Sequence, residues 1–164
     1  MSEWRRRAAQ GLRPGMTFTF ARTFLRRDVE VFGDVTRDYN PVHCEERFTR
    51  IKEFPGLICH GLLVGSMICE LGGQVAWLAS AMEFQFLRPV YIGETITCRL
   101  TIEEVDERGF ARATGIFTNQ DGQRVLEATL KGFIPGPREK EVLTEMIAEG
   151  DPTNKLRGNS EEEL

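Results

Sequence analysis

The sequence predicts an α+β domain in which an antiparallel sheet wraps a buried helix. Two observations predict it: residues 57–82 are the most apolar part of the chain, and residues 82–134 break into four alternating segments joined by short turns. A helix that is apolar over most of its surface has to be covered, and strands that follow one another without crossover helices pair antiparallel. The sheet is therefore the surface that buries the helix. With 164 residues, 41% hydrophobic and 28% charged, the chain has enough apolar material for one core. We divide it into an N-terminal extension (1–14), the main domain (15–136) and an acidic C-terminal helix and tail (137–164).

Each element follows from its pattern. GMTFTFART (15–23) alternates as a first strand, and residues 28–36 place Val29, Phe32 and Val35 on one helical face. Pro41 stops any helix and pushes Asn40 out of the helical region, so the chain turns between Asp38 and His43. A short polar helix over 44–49 and the loop KEFPG (52–56) lead to the long apolar helix, which starts near His60 and is predicted to reach about Ala79. His60 and Glu70 interrupt its apolar run and Gly61, Gly65, Gly72 and Gly73 dilute it, which suits a buried helix better than a membrane span. MEFQFLRP (82–89), TITCRLTIEEV (95–105), GFARATGIFTNQ (109–120) and QRVLEATLKGFI (123–134) read as strands, with turns at Ile92-Gly93, Glu107-Arg108-Gly109 and Asp121-Gly122. Residues 135–150 form a surface helix, and 151–164 read as a polar, mobile tail.

Charge and cysteines narrow the function classes. The net charge of −4 belongs to residues 137–164, while 1–136 are balanced and carry no basic stripe, which argues against nucleic acid as a partner. Cys44, Cys59, Cys69 and Cys98 lack C-x-x-C spacing and read as free, buried thiols. MSEWRRRAAQGLRPG has no apolar segment after its basic cluster, so it does not read as a secretory signal, and a cytoplasmic protein without a membrane partner is expected.

The motif GDVTRDYNPVH, followed by FPGLICHGLLVGSM and FQFLRPVYIGET at these spacings, resembles the MaoC-like dehydratase family, whose members include the (R)-specific enoyl-CoA hydratases. The resemblance covers about residues 15–135. It implies a hot-dog fold, usually a homodimer or higher homo-oligomer with sites at the subunit interface, acting on an acyl-CoA or acyl-carrier thioester without a cofactor.

Hydrating an enoyl thioester requires water to lose a proton as it attacks the β-carbon, while the α-carbon gains one and negative charge builds on the thioester oxygen. A carboxylate and an imidazole sharing one water meet the first need, and Asp38 and His43 are the catalytic candidates. A glycine N–H at a helix start meets the last, and Gly61 fits that position. Asn40 and His60 complete the candidate binding set, Asn40 by fixing the turn or orienting Asp38 and His60 by supporting the helix start. The bland readings are definite: Asp38 as a turn residue and His43 as a helix cap. Where relatives often carry a serine on the central helix this chain has Cys69, with Ser66 one turn earlier, which puts one active-site hydrogen bond in doubt. Arg88 reads as a strand-end charge with a possible role near carrier phosphates, and Phe84, Phe86 and Trp77 as core or dimer contacts. Only His43 and His60 are available as imidazole ligands, without ligand spacing, so no metal is expected. A thioesterase and a non-catalytic acyl-thioester binding subunit are the competing functions.

Overall fold

The computed structural model describes residues 3–156. The elements run α1 (Glu3–Gln10), β1 (Thr17–Thr23), α2 (Arg26–Thr36), a single 3-10 turn (Pro41–His43), α3 (Glu46–Ile51), α4 (Gly61–Gly65), α5 (Met67–Gln74), β2 (Leu78–Phe86), β3 (Thr95–Val105), β4 (Phe110–Thr118), β5 (Arg124–Phe133) and α6 (Pro137–Ala148). The strands form one antiparallel sheet in the order β1-β3-β4-β5-β2. Strands β3 to β5 alternate as their sequences do: Ile96, Cys98, Leu100 and Ile102 of β3, Ala111, Ala113 and Phe117 of β4, and Leu126, Ala128 and Leu130 of β5 are buried. They share one core with Leu63, Val64, Met67, Ile68 and Leu71 of α4 and α5. The predicted sheet around a buried helix is what these residues build.

The largest boundary differences from the sequence reading fall at the end of the central helix and at β2, which runs from Leu78 to Phe86 rather than over 82–89. The central helix ends at Gln74, not near Ala79. Ala76 takes a left-handed conformation (φ 54°), and the Trp77 N–H donates to the Gly72 carbonyl (2.8 Å), so the chain reverses there. The released residues 78–81 extend β2, because Leu78 and Ala79 lie opposite Phe133 and Gly132 of β5. Gly132 is required at this crossing: a Cβ there would stand 2.2 Å from the Leu78 carbonyl oxygen. Within the central helix a slight break falls at Ser66, whose hydroxyl donates to the Leu63 carbonyl (2.6 Å).

The chain ends are also more ordered than their composition suggests. Helix α1 packs on α6, and Arg5 donates to the Gly73 carbonyl (2.9 Å) and to the carboxylate of Asp151 (2.8 Å), which is fully buried. Asn154 and Gln74 exchange side-chain hydrogen bonds of 2.9 and 3.1 Å. Residues 151–154 are therefore fastened to the end of the central helix rather than forming a mobile tail, because the helix-end carbonyls left over at Gly73 and Gln74 need donors. The remainder of the predicted tail, 157–164, lies outside the described residues. Among the described residues no helix is long and apolar enough to cross a membrane.

Candidate active site

The turn 37–43 is built from its own side chains. Arg37 adopts a left-handed conformation (φ 60°) that ends α2. One carboxylate oxygen of Asp38, Oδ1, accepts the Asn40 N–H (3.3 Å), and Oδ1 of Asn40 accepts the Val42 N–H (3.3 Å), capping the 3-10 turn that Pro41 opens. The bland reading of Asp38 as a turn residue is thus true of one oxygen. The other, Oδ2, stands 4.0 Å from Nε2 of His43.

The tautomer of His43 follows from its neighbour. Its Nδ1 lies 2.8 Å from the Ile58 carbonyl oxygen, and a carbonyl can only accept, so Nδ1 carries the hydrogen and Nε2 presents a lone pair toward Asp38. Desolvation by burial holds the His43 imidazole below the ordinary histidine pKa, offset by the hydrogen bond to Ile58; His60 lowers it further and the Asp38 charge raises it. Asp38 Oδ2 and His43 Nε2 are therefore two acceptors facing each other across a gap that one water could span, donating a hydrogen to each.

His60 supports this arrangement from behind. It is buried, its Nε2 donates to the Asp38 carbonyl (2.9 Å), and its ring lies against that of His43 with centroids 3.8 Å apart and planes at 30°. That contact fixes both members of the pair at once, the backbone of one and the ring of the other. The second ring nitrogen, Nδ1, is buried without a hydrogen-bond partner. One atom each of Asp38, His43 and His60 lies within 4.8 Å of the other two, so the three groups could in principle hold a metal ion.

These groups line a cavity of about 490 Å³ whose other walls are largely apolar: Phe32 of α2, Ile58, Leu62 and Val64, Phe86 of β2, and Leu126 of β5. Gly61 lies on its wall as the first residue of α4, and a side chain there would collide with Phe86, since an added Cβ would sit 2.6 Å from the ring. The first N–H groups of a helix lack intrahelical acceptors, so the Gly61 N–H is free to serve a ligand. Asp38, His43, His60 and Gly61 thus meet in one cavity, whereas Asn40 does not line it and uses its side chain on the turn.

Several residues have fates that the sequence did not show. Arg88 is the one cation lining this cavity among the described residues, and Phe86, half-exposed, forms part of the wall rather than core. Strand alternation could have found Phe86, since it shares a face with Phe84; nothing in the sequence marks the Ile58 carbonyl that orients His43. Cys69 is exposed and does not line the cavity. The four-buried-thiol reading holds for Cys59 and Cys98 alone, both pushed up to about 12 by burial, while Cys44 sits on the exposed turn and Cys69 is exposed on α5, at the edge of a second, smaller cavity.

A five-stranded antiparallel sheet around a central helix, with a polar pair at the helix entrance, defines a hot-dog protein with a largely apolar cavity. The chain belongs to the MaoC-like domain family, whose model matches residues 8–122. It is 26% identical over 106 residues to an (R)-specific enoyl-CoA hydratase of Aeromonas caviae, covering 61% of this chain and 78% of that relative. It is 25% identical over 133 residues to a mitochondrial 3-hydroxyacyl-[acyl-carrier-protein] dehydratase of Arabidopsis thaliana, covering 76% and 78%. In three dimensions it is similar to an R-hydratase of Pseudomonas aeruginosa (TM-score 0.72, 24% identity, 77% of this chain and 84% of the other). At that identity the structural likeness establishes the fold.

Proposed function

We propose that this chain is a hydratase/dehydratase that adds water reversibly to a trans-2-enoyl thioester, an enoyl-CoA, giving the (R)-3-hydroxyacyl thioester. The observation that carries the reading is the 4.0 Å gap between two acceptors, Asp38 Oδ2 and His43 Nε2, on the wall of an apolar cavity beside the Gly61 N–H. Membership of a family whose relatives include (R)-specific enoyl-CoA hydratases and 3-hydroxyacyl dehydratases supports it.

In the hydration direction the bridging water gives up a proton to this pair as its oxygen attacks the β-carbon. The pair returns a proton to the α-carbon, so both catalytic groups end as they began. Negative charge on the thioester oxygen is met by the Gly61 N–H, which has no side chain to hold the substrate away. Neutral His43 is the competent form, and its burial favours that form. Arg88 is a cation available to a carrier phosphate.

A homodimer belongs to this reading. Strand β2 pairs with β5 on one side and is exposed along nearly all its length, with Leu78 at 73% and Phe86 at 53% exposure. An apolar sheet edge of this kind suits pairing with a second copy.

Purified protein supplied with crotonyl-CoA tests the function. Loss of the conjugated enoyl absorbance without thiol release, with chiral analysis giving the (R)-product, is the expected result. Thiol release would identify a thioesterase, and neither change would identify a binding subunit.

A further inference from the structure

We propose that Phe84 divides a single acyl groove into two compartments and so confines this chain to short acyl thioesters; the inference rests on the hydratase reading above. The groove lies between the central helix and the paired strands β2 and β5. Phe86 lies opposite Leu126, Phe84 opposite Ala128 and Met82 opposite Leu130. Being two residues apart, the three pairs stand on one face of the sheet, at successive levels along the helix.

The first level, Phe86 and Leu126, belongs to the 490 Å³ cavity that holds Asp38 and His43. The third, Met82 and Leu130, belongs to a second apolar cavity of about 210 Å³ that continues along α5 past Ile68 and Gly72. The second level lines neither cavity. There the Phe84 ring lies on Gly65, where an added Cβ would come within 2.8 Å of it, and stacks on Phe86 with centroids 6.3 Å apart and planes at 15°. Ala128 and Gly65 are the small residues of this level, and the space they leave is taken by the aromatic ring. The residues from 86 to 82 span roughly 14 Å of strand, so without the ring the groove would run that much further from the catalytic pair.

Phe84 therefore acts as a wall that meets the methyl end of the acyl chain. Excluding even one methylene from an apolar site lowers kcat/KM by roughly 10–200-fold, so a ring placed across the groove is enough to set a length limit.

The test compares kcat/KM for trans-2-decenoyl-CoA and crotonyl-CoA. Wild type should favour crotonyl-CoA, and Phe84→Ala should raise the decenoyl-to-crotonyl ratio at least about tenfold. Met82→Trp added to Phe84→Ala refills the distal compartment and should return the ratio toward wild type, which a general loosening of the fold would not do. Phe84→Leu should give an intermediate ratio and serves in place of the alanine variant if that does not fold. A wild type that handles both substrates equally, an unshifted ratio in a folded variant, or no reversal by Met82→Trp overturns the partition. A wild type inactive on both enoyl-CoAs overturns the hydratase reading instead, and this inference with it.

Discussion

Asp38→Asn separates chemistry from architecture at the turn. The amide oxygen of asparagine can keep the Oδ1 role of accepting the Asn40 N–H at 3.3 Å, so the 3-10 turn and the His60 contact to the residue 38 carbonyl are retained. The amide nitrogen then occupies the Oδ2 position, 4.0 Å from His43 Nε2, and a donor replaces an acceptor where the water must give up its proton. Loss of one proton-transfer partner costs roughly 10²–10⁴-fold, or about 3–5 kcal/mol of barrier. His43→Gln should cost a similar factor. Because both groups hold one water, the double variant should be hardly slower than the worse single one, where independent contributions would multiply to roughly 10⁴–10⁸-fold. The assay is the decay of enoyl absorbance with crotonyl-CoA, with circular dichroism and thermal melting to show that each variant is folded. A folded Asp38→Asn protein that hydrates at near the wild-type rate would refute the reasoning, leaving the motif as a turn and nothing more.

Other expectations follow from the same contacts. His43 has a folded pKa below 6.5, so it is neutral at pH 7 and becomes protonated only as pH falls through that lower value; kcat/KM should show an acid limb below pH 6.5, and a limb above it would contradict the assignment. Gly61→Ala forces a Cβ against Phe86 and should destabilise by about 1–3 kcal/mol in a thermal or urea melt, with hydration impaired because the ring moves within the cavity wall. Arg5→Ala removes one of the partners of buried Asp151 and the donor to the Gly73 carbonyl, and should cost about 1–3 kcal/mol of stability without changing kcat of the folded protein. Removing residues 139–164 should likewise lower stability while leaving kcat near normal, since no residue of α6 lines the cavity. Light scattering should give at least a dimer, and a fully active monomer would contradict the exposed β2 edge as an interface.

Local sequence was sufficient wherever one element decides its own form. Pro41 and Asn40 dictate the turn that separates Asp38 from His43, alternation dictates β3 to β5, and the apolar run after His60 dictates a covered helix, because backbone sterics and side-chain periodicity act over a few residues. Asp38, His43, His60 and Gly61 were legible together for that reason: they lie in two short blocks, 38–43 and 60–61, of strong local character. The end of the central helix was not legible, because residues 78–81 are strand only by virtue of β5, fifty or more residues away. Nor could the sequence give the state of His43, which depends on the Ile58 carbonyl, a backbone group that every residue type carries. The chain ends misled for the same physical reason. Asp151 and Asn154 are polar by composition and buried by partnership, and a partner such as Arg5 or Gln74 exists only once the chain has folded back on itself.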